Sequence, residues 1–381
     1  MNRAAISPRP DWPAKVEQIG LTYHTPDGRK YWDESVCYHF TAAEVDVLEK
    51  AGNDLHALCL EAAQHVIDDN LFDTLGIPPE AVPFIKNSWD RDDFSVYGRF
   101  DLMYDGRTPP KMLEYNADTP TALVEAAVAQ WYWLQDVSPH SDQFNSIHEK
   151  LVAAWKQFGA KSPGNIHFGG IKDCPEDEQT VLYVEDTCHQ AGLAVGPLFI
   201  EDLGYDKVKR QFVDLQSQPV RNYFKLYPWE WMWHEKFSFT LKLEICHFIE
   251  PMWKMLLSNK GLLPVLWKLF PNHPNLLPAF FTQEELAAQA PVGAGYVKKP
   301  KLGREGANIS ILQGGSIFQA TEGDYGEEGF VFQALAPIAE FDGNHPVMGV
   351  WIVNHEACGL GIREDTSLIT GNLSRFVPHM F

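Results

Sequence analysis

The stretch YVKKPKLGREGANISIL, residues 296–312, places the strongest constraint on the fold of this chain. Apolar runs flank a centre rich in lysine, arginine and glycine, which is typical of a hairpin whose tip folds over an anion. Lysine supplies a mobile positive charge, and Gly303 and Gly306 let the backbone approach a ligand closely. A solvated basic turn has the same composition. The stretch contains neither GxxxxGK[ST] nor GxGxxG, so it is neither a P-loop nor a dinucleotide-binding fingerprint.

The rest of the chain is acidic, with 31 Lys and Arg against 51 Asp and Glu among 381 residues and a net charge of −20. This balance argues against nucleic acid or anionic membranes as partners. Apolar runs such as LLPVLWKLF end well before the ~20 residues that span a bilayer. The first residues lack the apolar core of a signal peptide, and the six cysteines form no CxxC. We therefore predict a cytoplasmic protein with reduced thiols.

Local patterns predict a mixture of helices and strands. Residues 42–70 carry apolar residues at helical spacing, with Thr41 as the N-cap. SVYGRFDLMYDG and PKMLEYNAD predict a hairpin, and TALVEAAVAQWYWLQD predicts a following helix. TVLYVED, AVGPLFIEDLGYD and VRNYFKLYPWEWM predict strands of a small α/β layer. FIEPMWKMLLSNKGLLPVLWKLF predicts interrupted helices, and the C-terminal third predicts antiparallel strands.

The predicted hairpin has a polar face. Because side chains alternate along a strand, Arg99 and Asp101 share one side, as do Glu114 and Asn116. Two carboxylates and an amide, without His or Cys, fit Mg²⁺ shared with nucleotide phosphates. An internal arginine–carboxylate pair on a solvated sheet is the alternative. Arg363 follows Gly359 and Gly361, which predicts either a loop that swings a guanidinium into a site or an ordinary turn.

Six motifs together resemble a known family. They are YGRFDLMYDG, LEYNADTPTALVEA, YPWEW, EPMWKMLLSNKGLLP, YVKKPKLGREGAN and GIREDTSLI, and they extend from about residue 85 to 370. In this order and spacing they resemble the synthetase domain of the glutathionylspermidine synthase family, an ATP-grasp carboxylate–amine ligase.

The resemblance implies roles for individual residues. Arg99 would contact the substrate carboxylate and the transferring phosphoryl group, and Arg363 would steady the transition state. Asp101, Glu114 and Asn116 would hold Mg²⁺. The residues implied to bind ATP are Lys260, Lys299, Glu305, Gln333, Ala334, Leu335, Ala336, Leu368 and Ile369. Lys299 is preferred to Lys298 because the family's lysine directly precedes the proline. The implied substrate contacts are Thr119, Glu185 and Asp186, although the last two are equally compatible with an acidic helix cap.

The resemblance also implies an architecture and a reaction. The expected fold class is α+β and α/β, an ATP-grasp fold with a small α/β pre-ATP-grasp domain. We expect an N-terminal segment over residues 1–165, a small α/β substrate domain over 166–245 and ATP-grasp lobes over 246–381 that include the lid loop 296–312. We expect the segment before residue 84 to be too short for the amidase domain of bifunctional members. The predicted function is an ATP- and Mg²⁺-dependent ligase that joins a carboxylate, such as the peptide glutathione, to an amine through an acyl phosphate. A non-catalytic, nucleotide-binding partner or sensor protein is the alternative.

Overall fold

The computed structural model describes residues 1–289 and 295–381 as a mixed α/β protein with several sheets. Residues 290–294 of the predicted third domain lie outside the described part. The α-helices within the described part are α1 (Trp12–Gln18), α2 (Ala42–Asp68), α3 (Val82–Asp90), α4 (Gln130–Val137), α5 (Ile147–Lys161), α6 (Pro175–Gln190), α7 (Trp229–His234), α8 (Lys254–Leu257), α9 (Leu262–Leu269) and α10 (Gln283–Gln289). A π-helical turn, Glu125–Ala129, leads directly into α4.

The strands of the same described part form five sheets. They are β1 (Asn2–Ala5), β2 (Val36–His39), β3 (Tyr97–Met103), β4 (Lys111–Asn116), β5 (Ile166–Gly169), β6 (Val195–Pro197), β7 (Gly204–Asp206), β8 (Gln211–Val213), β9 (Pro219–Val220), β10 (Asn222–Lys225), β11 (His247–Ile249), β12 (Ala279–Phe280), β13 (Tyr296–Pro300), β14 (Ser310–Gln313), β15 (Ser316–Ala320), β16 (Phe330–Ala334), β17 (His345–Val353), β18 (Glu356–Asp365), β19 (Arg375–Val377) and β20 (His379–Met380).

The central sheet combines two strands from the first third of the chain with three strands from near its C-terminus. Its strand order is β19-β18-β17-β3-β4, and every neighbouring pair is antiparallel. The predicted hairpin is therefore confirmed as β3–β4, but it pairs with C-terminal strands. Segments that we expected in the first and third domains thus form one sheet. Helix α2 covers one face so closely that a Cβ at Gly52 would lie 2.8 Å from Val350 Cγ1.

Two further sheets have five and four strands. An antiparallel sheet of order β12-β16-β13-β14-β15 contains the hairpin β13–β14 that carries the lid loop. A parallel sheet of order β11-β10-β5-β6 forms the small α/β layer with α6. Its edge strand β11 ends at Ile249, so this layer extends past the expected limit at residue 245. The remaining sheets, β1-β2-β20 and β7-β8-β9, are small.

Several local predictions are confirmed. Helix α2 begins after Thr41, whose side chain accepts from the Glu44 backbone N–H while the Glu44 carboxylate accepts from the Thr41 backbone, a capping box. The interrupted helices predicted around residue 260 are α8 and α9, and the C-terminal third is rich in antiparallel strands.

Two local predictions are wrong. Residues 180–186, predicted as a strand, lie in the middle of α6, which starts with Pro175 at its first position. Arg363, predicted in a glycine-rich loop, lies within β18. Gly359 and Gly361 allow close packing there, because Cβ atoms at these positions would lie 2.4 Å from Ile147 and 3.0 Å from Phe376.

All six cysteines are free. Among the described residues, the helices are each too short or too polar to cross a bilayer.

Candidate active site

The polar face of β3–β4 forms the floor of a cavity. Arg99 lies opposite Asn116, and Asp101 lies opposite Glu114. The Arg99 guanidinium donates from Nε and Nη2 to the two Asp101 oxygens at 2.7 and 3.1 Å. Asn116 Nδ2 donates to Asp101 Oδ2 and Glu114 Oε1, at 3.2 Å each. The period-two prediction therefore brings all four side chains into one connected cluster.

Two lysines from distant segments join this floor. Lys260, between α8 and α9, lies 2.9 Å from Glu114 Oε2 and donates to the Gly303 carbonyl at 2.6 Å. Lys299 on β13 donates to the Leu113 carbonyl at 3.0 Å and to Gln333 Oε1 at 2.8 Å. Both lysines are largely buried. Two cationic groups thus converge on one carboxylate.

The charges of this cluster perturb one another. Burial raises the pKa of Glu114, but the ammonium groups of Lys260 and Lys299 outweigh it and hold that pKa at about 2. Burial lowers the pKa of Lys299 to about 8, against the opposing effect of Glu114 and with added repulsion from Lys260. Two ammonium groups that share a single carboxylate carry excess positive charge, which makes this end of the cavity a candidate anion site.

Arg363 approaches the same floor from β18. Its Nη2 lies 4.0 Å from Asp101 Oδ2, and its Nη1 donates to the Gly371 carbonyl at 3.5 Å. Gly349 on β17 makes room for Arg99, since a Cβ there would lie 2.9 Å from Arg99 Cδ. The long side chain of Arg99 therefore depends on a glycine in the neighbouring strand.

The lid loop closes over the charged end of the cavity. Glu305 and Gly306 both have positive φ, at 53° and 73°, so the tip turns through the left-handed region. A Cβ at Gly306 would lie 2.5 Å from the Thr370 carbonyl oxygen, which explains why this position is a glycine. The predicted strand–turn–strand of this segment is confirmed as β13–β14.

The other end of the cavity is apolar. It is lined by residues that the family resemblance implies to bind ATP: the segment 333–336, Leu368 and Ile369. Val297, Ile309 and Ile311 add aliphatic side chains. The cavity has a volume of about 350 Å³ and combines an apolar end with a cationic end. Lys298 instead holds its ammonium 3.9 Å from the centre of the Phe330 ring.

The sequence analysis missed three residues that line the cavity, Glu176, Asp177 and Arg304, and also Glu230, which pairs with Arg304. Arg304 donates to Thr119 Oγ1 and lies 3.2 Å from Glu230 Oε1, and it follows Gly303 in the stretch that we singled out. Pro175, a helix-start signal, could have located the two acidic residues in the first turn of α6.

The acidic residues of α6 form a second electrostatic feature of the cavity wall. Burial and the neighbouring Glu176 raise the pKa of Asp177 to about 6, and burial and Glu176 also raise the pKa of Glu305. A cation bound here would offset the repulsion that Glu176 exerts on Asp177 and Glu305. Glu185 and Asp186 lie two to three turns further along α6, away from the cavity-lining residues of that helix, and Asp186 accepts from Gln190. The structure therefore does not bring these two to the site.

The metal ligands predicted on the hairpin are Asp101, Glu114 and Asn116. Among the described residues, no group of three or more His, Cys, Asp or Glu is arranged for a metal ion. The three hairpin residues are two carboxylates and one amide, and an amide is not one of those four residue types. All three still offer the oxygen donors that Mg²⁺ prefers. The donor chemistry fits the ion.

Comparisons with known proteins agree with this picture. The family profile "Glutathionylspermidine synthase preATP-grasp" matches residues 3–381. A Haemophilus influenzae protein named "Putative acid--amine ligase" is 42% identical and aligns over 98% of this chain and 97% of its own. Trypanothione synthetase of Crithidia fasciculata is 32% identical over 85% of this chain, which corresponds to 53% of that relative.

A solved structure, a glutathione synthetase-like effector from Globodera pallida, superposes with a TM-score of 0.58 at 10% identity, covering 97% of this chain and 96% of the other. It shows a shared fold. The sequence relatives are named as ligases, and they confirm the predicted class of enzyme, an ATP-dependent ligase that forms C–N bonds. With its profile matched from residue 3 to the end, the chain belongs to the glutathionylspermidine synthase family.

Proposed function

We propose that this chain joins a carboxylic acid to an amine through an acyl phosphate, with ATP bound in the cavity between the hairpin β3–β4 and the lid loop. The observation that carries the proposal is the convergence of Arg99, Lys260 and Lys299 at one end of a cavity whose other end is apolar. A nucleotide has the same polarity, with a charged triphosphate at one end and a flat base at the other. We assign the fold to the ATP-grasp class on the same grounds.

The chemistry requires activation of the acid. A carboxylate is a poor electrophile, because its charge is delocalised and oxide is a poor leaving group. Transfer of the γ-phosphoryl group to a carboxylate oxygen gives ADP and an acyl phosphate. The amine nitrogen then attacks the acyl carbon, the C–O bond to phosphate breaks, and the amine loses its protons as amide and phosphate form.

Charge neutralisation is the main task of the protein in phosphoryl transfer. In this proposal Lys260 and Lys299 hold the phosphates, and Arg99 and Arg363 meet the negative charge of the acid and of the transferring group. Asp101, Glu114 and Asn116 would hold Mg²⁺, which supplies further neutralisation of phosphate charge when bound. The lid loop would exclude water, which otherwise hydrolyses an acyl phosphate.

The substrates occupy different walls in this proposal. The acid lies toward Thr119 and Arg304, where a guanidinium and a hydroxyl face the cavity. The amine, which arrives as a cation, lies toward Glu176, Asp177 and Glu305. A short peptide such as glutathione and a polyamine are the first pair to test, because the matched family is named for glutathionylspermidine. The free cysteines support the proposal of a reducing, cytoplasmic location.

Oxygen isotope transfer tests the proposal. Purified protein, ATP and Mg²⁺ are incubated with short peptides, glutathione included, against a panel of amines, and products are identified by mass spectrometry. For an active pair, the acid is labelled with ¹⁸O in its carboxylate. We expect ADP and phosphate carrying one ¹⁸O atom, because the carboxylate oxygen leaves with the phosphoryl group.

Other outcomes contradict the proposal. Label in AMP together with pyrophosphate would indicate an acyl adenylate instead. ATP binding without ADP release for any acid and amine would favour the non-catalytic alternative, which the comparisons do not support. Lys299→Met serves as the inactive control, because it removes one phosphate-facing charge while keeping an unbranched side chain.

A further inference from the structure

A buried ion pair lies beside the cavity and is unused by the reaction above. Lys225 Nζ on β10 lies 2.6 Å from Asp118 Oδ1, and the two side chains are 0% and 1% exposed. Lys225 also donates to the Tyr227 carbonyl at 2.9 Å and lies 4.5 Å from the centre of the Trp229 ring. A fully buried ion pair gives little net stability, so its presence calls for another explanation.

The pair connects two segments that each carry a hydrogen-bond partner of Arg304. Asp118 directly precedes Thr119 at the end of the hairpin, and its second oxygen accepts from the Trp229 backbone N–H at 3.0 Å. Trp229 directly precedes Glu230 on α7. Asp118 thus ties the hairpin to the small α/β layer at one point, and Thr119 and Glu230 are presented side by side.

Arg304 of the lid loop contacts both Thr119 and Glu230. The Arg304 guanidinium donates to Thr119 Oγ1 and to Glu230 Oε1, at 3.2 and 3.3 Å for the latter, and it lies 5.9 Å from the Trp231 ring. Arg304 therefore spans the junction that the ion pair holds together. The relative position of Thr119 and Glu230 decides whether one guanidinium can reach both.

We propose that Asp118 and Lys225 are positioning residues for the lid loop. Their ion pair fixes the distance between Thr119 and Glu230, and Arg304 binds both of these residues when the lid loop closes. The inference rests on the proposed function only in taking the covered cavity as the reaction site. Its test uses no turnover, so an inactive protein would not affect the result.

Limited digestion with trypsin reports lid opening directly. The bonds after Lys301 and Arg304 are trypsin sites in the lid loop, and both side chains are partly buried in the closed loop. The full-length Lys225→Met/Asp118→Asn double variant removes both charges without leaving one unpaired in the interior. We expect cleavage after Lys301 to be about tenfold faster than in wild type, because proteolysis follows the population of the opened loop.

Two further variants make the result specific. Arg304→Met removes the guanidinium itself and should accelerate cleavage after Lys301 similarly. The matched control is Arg9→Met/Glu34→Gln, an ion pair of 2.6 Å that is also buried but lies on the N-terminal segment. It should leave cleavage after Lys301 at the wild-type rate, even where its thermal midpoint falls as much as that of the test variant.

The same experiment can overturn the inference. Acceleration in Arg304→Met with a wild-type rate in the double variant would show that the ion pair does not position the lid. Equal acceleration in the double variant and the Arg9 control would show a loss of general stability instead. No acceleration in Arg304→Met would show that the arginine does not hold the lid closed.

Discussion

Replacing Arg99 by lysine tests whether the site depends on the shape of the guanidinium or only on its charge. Arg99 makes a two-pronged contact with Asp101, at 2.7 and 3.1 Å, and its Nη1 donates to the Thr121 carbonyl at 2.7 Å. A lysine keeps one charge on one nitrogen. It cannot reach both Asp101 oxygens and the Thr121 carbonyl from a single position.

The expected magnitudes follow from these contacts. A hydrogen bond that involves a charged group contributes about 1.5–3 kcal/mol, so we expect Arg99→Lys to lower the free energy of unfolding by about 2 kcal/mol. Loss of a preorganised donor to the transition state should lower kcat/KM by about 10²–10³. Arg99→Ala is less informative, because an unpaired buried Asp101 costs about 3–5 kcal/mol and confounds fold with catalysis.

The assay measures ADP release with an active acid and amine, alongside thermal unfolding. Arg91→Lys is the matched control, since Arg91 makes the same two-pronged contact with Asp93, at 3.1 and 2.7 Å, on a half-exposed surface. We expect that control to retain wild-type kcat/KM. A folded Arg99→Lys enzyme whose kcat/KM stays within about threefold of wild type would refute the role given to the guanidinium.

Three further predictions concern charge in the cavity. Burial lowers the pKa of Lys299 to about 8, so its ammonium loses its proton as pH rises past that value; the Kd for ATP, measured by calorimetry, should increase from about pH 7 to about pH 9, and Lys299→Arg should flatten this dependence. An unchanged slope in the arginine variant would contradict the assignment. Lys299→Met should weaken ATP binding far more than Lys298→Met, whose wild-type ammonium lies against the Phe330 ring, and equal losses would count against the choice of lysine. Glu176→Gln should raise KM for the amine with little change in kcat, whereas Glu178→Gln, on the exposed face of the same turn, should leave both unchanged.

The local part of the site could be predicted from sequence because strand periodicity is strict. Arg99 and Asp101 sit two residues apart, as do Glu114 and Asn116, so each pair shares one face of its strand. The register that places Asp101 opposite Glu114 then puts both pairs on the same face. The same reasoning failed at residues 180–186, where valine and tyrosine suggest a strand. Pro175 is the signal that this segment is helical, since a proline at the first helical position costs no hydrogen bond.

The long-range part could not be predicted in this way. β3 pairs with β17, about 250 residues later, and local patterns carry no information on which strands become neighbours. The mistaken loop at Arg363 has the same origin. Gly359 and Gly361 look like turn residues, yet they serve contacts with Ile147 and Phe376 that only the folded sheet creates. Glycine marks close approach as well as flexibility.

Glu114 lets two lysines lie close together in the proposed phosphate site. Lys260 and Lys299 repel each other, and Glu114 offsets that repulsion, which is why its own pKa is held at about 2. Lys260 also donates to the carbonyl of Gly303 in the lid loop. On the proposed function, arriving phosphates compete with Glu114 for both ammonium groups while Lys260 stays linked to the lid. Nucleotide binding and loop closure then both depend on Lys260. When the product leaves, the Glu114 carboxylate can pair with the two lysines again, which favours release of the anionic product.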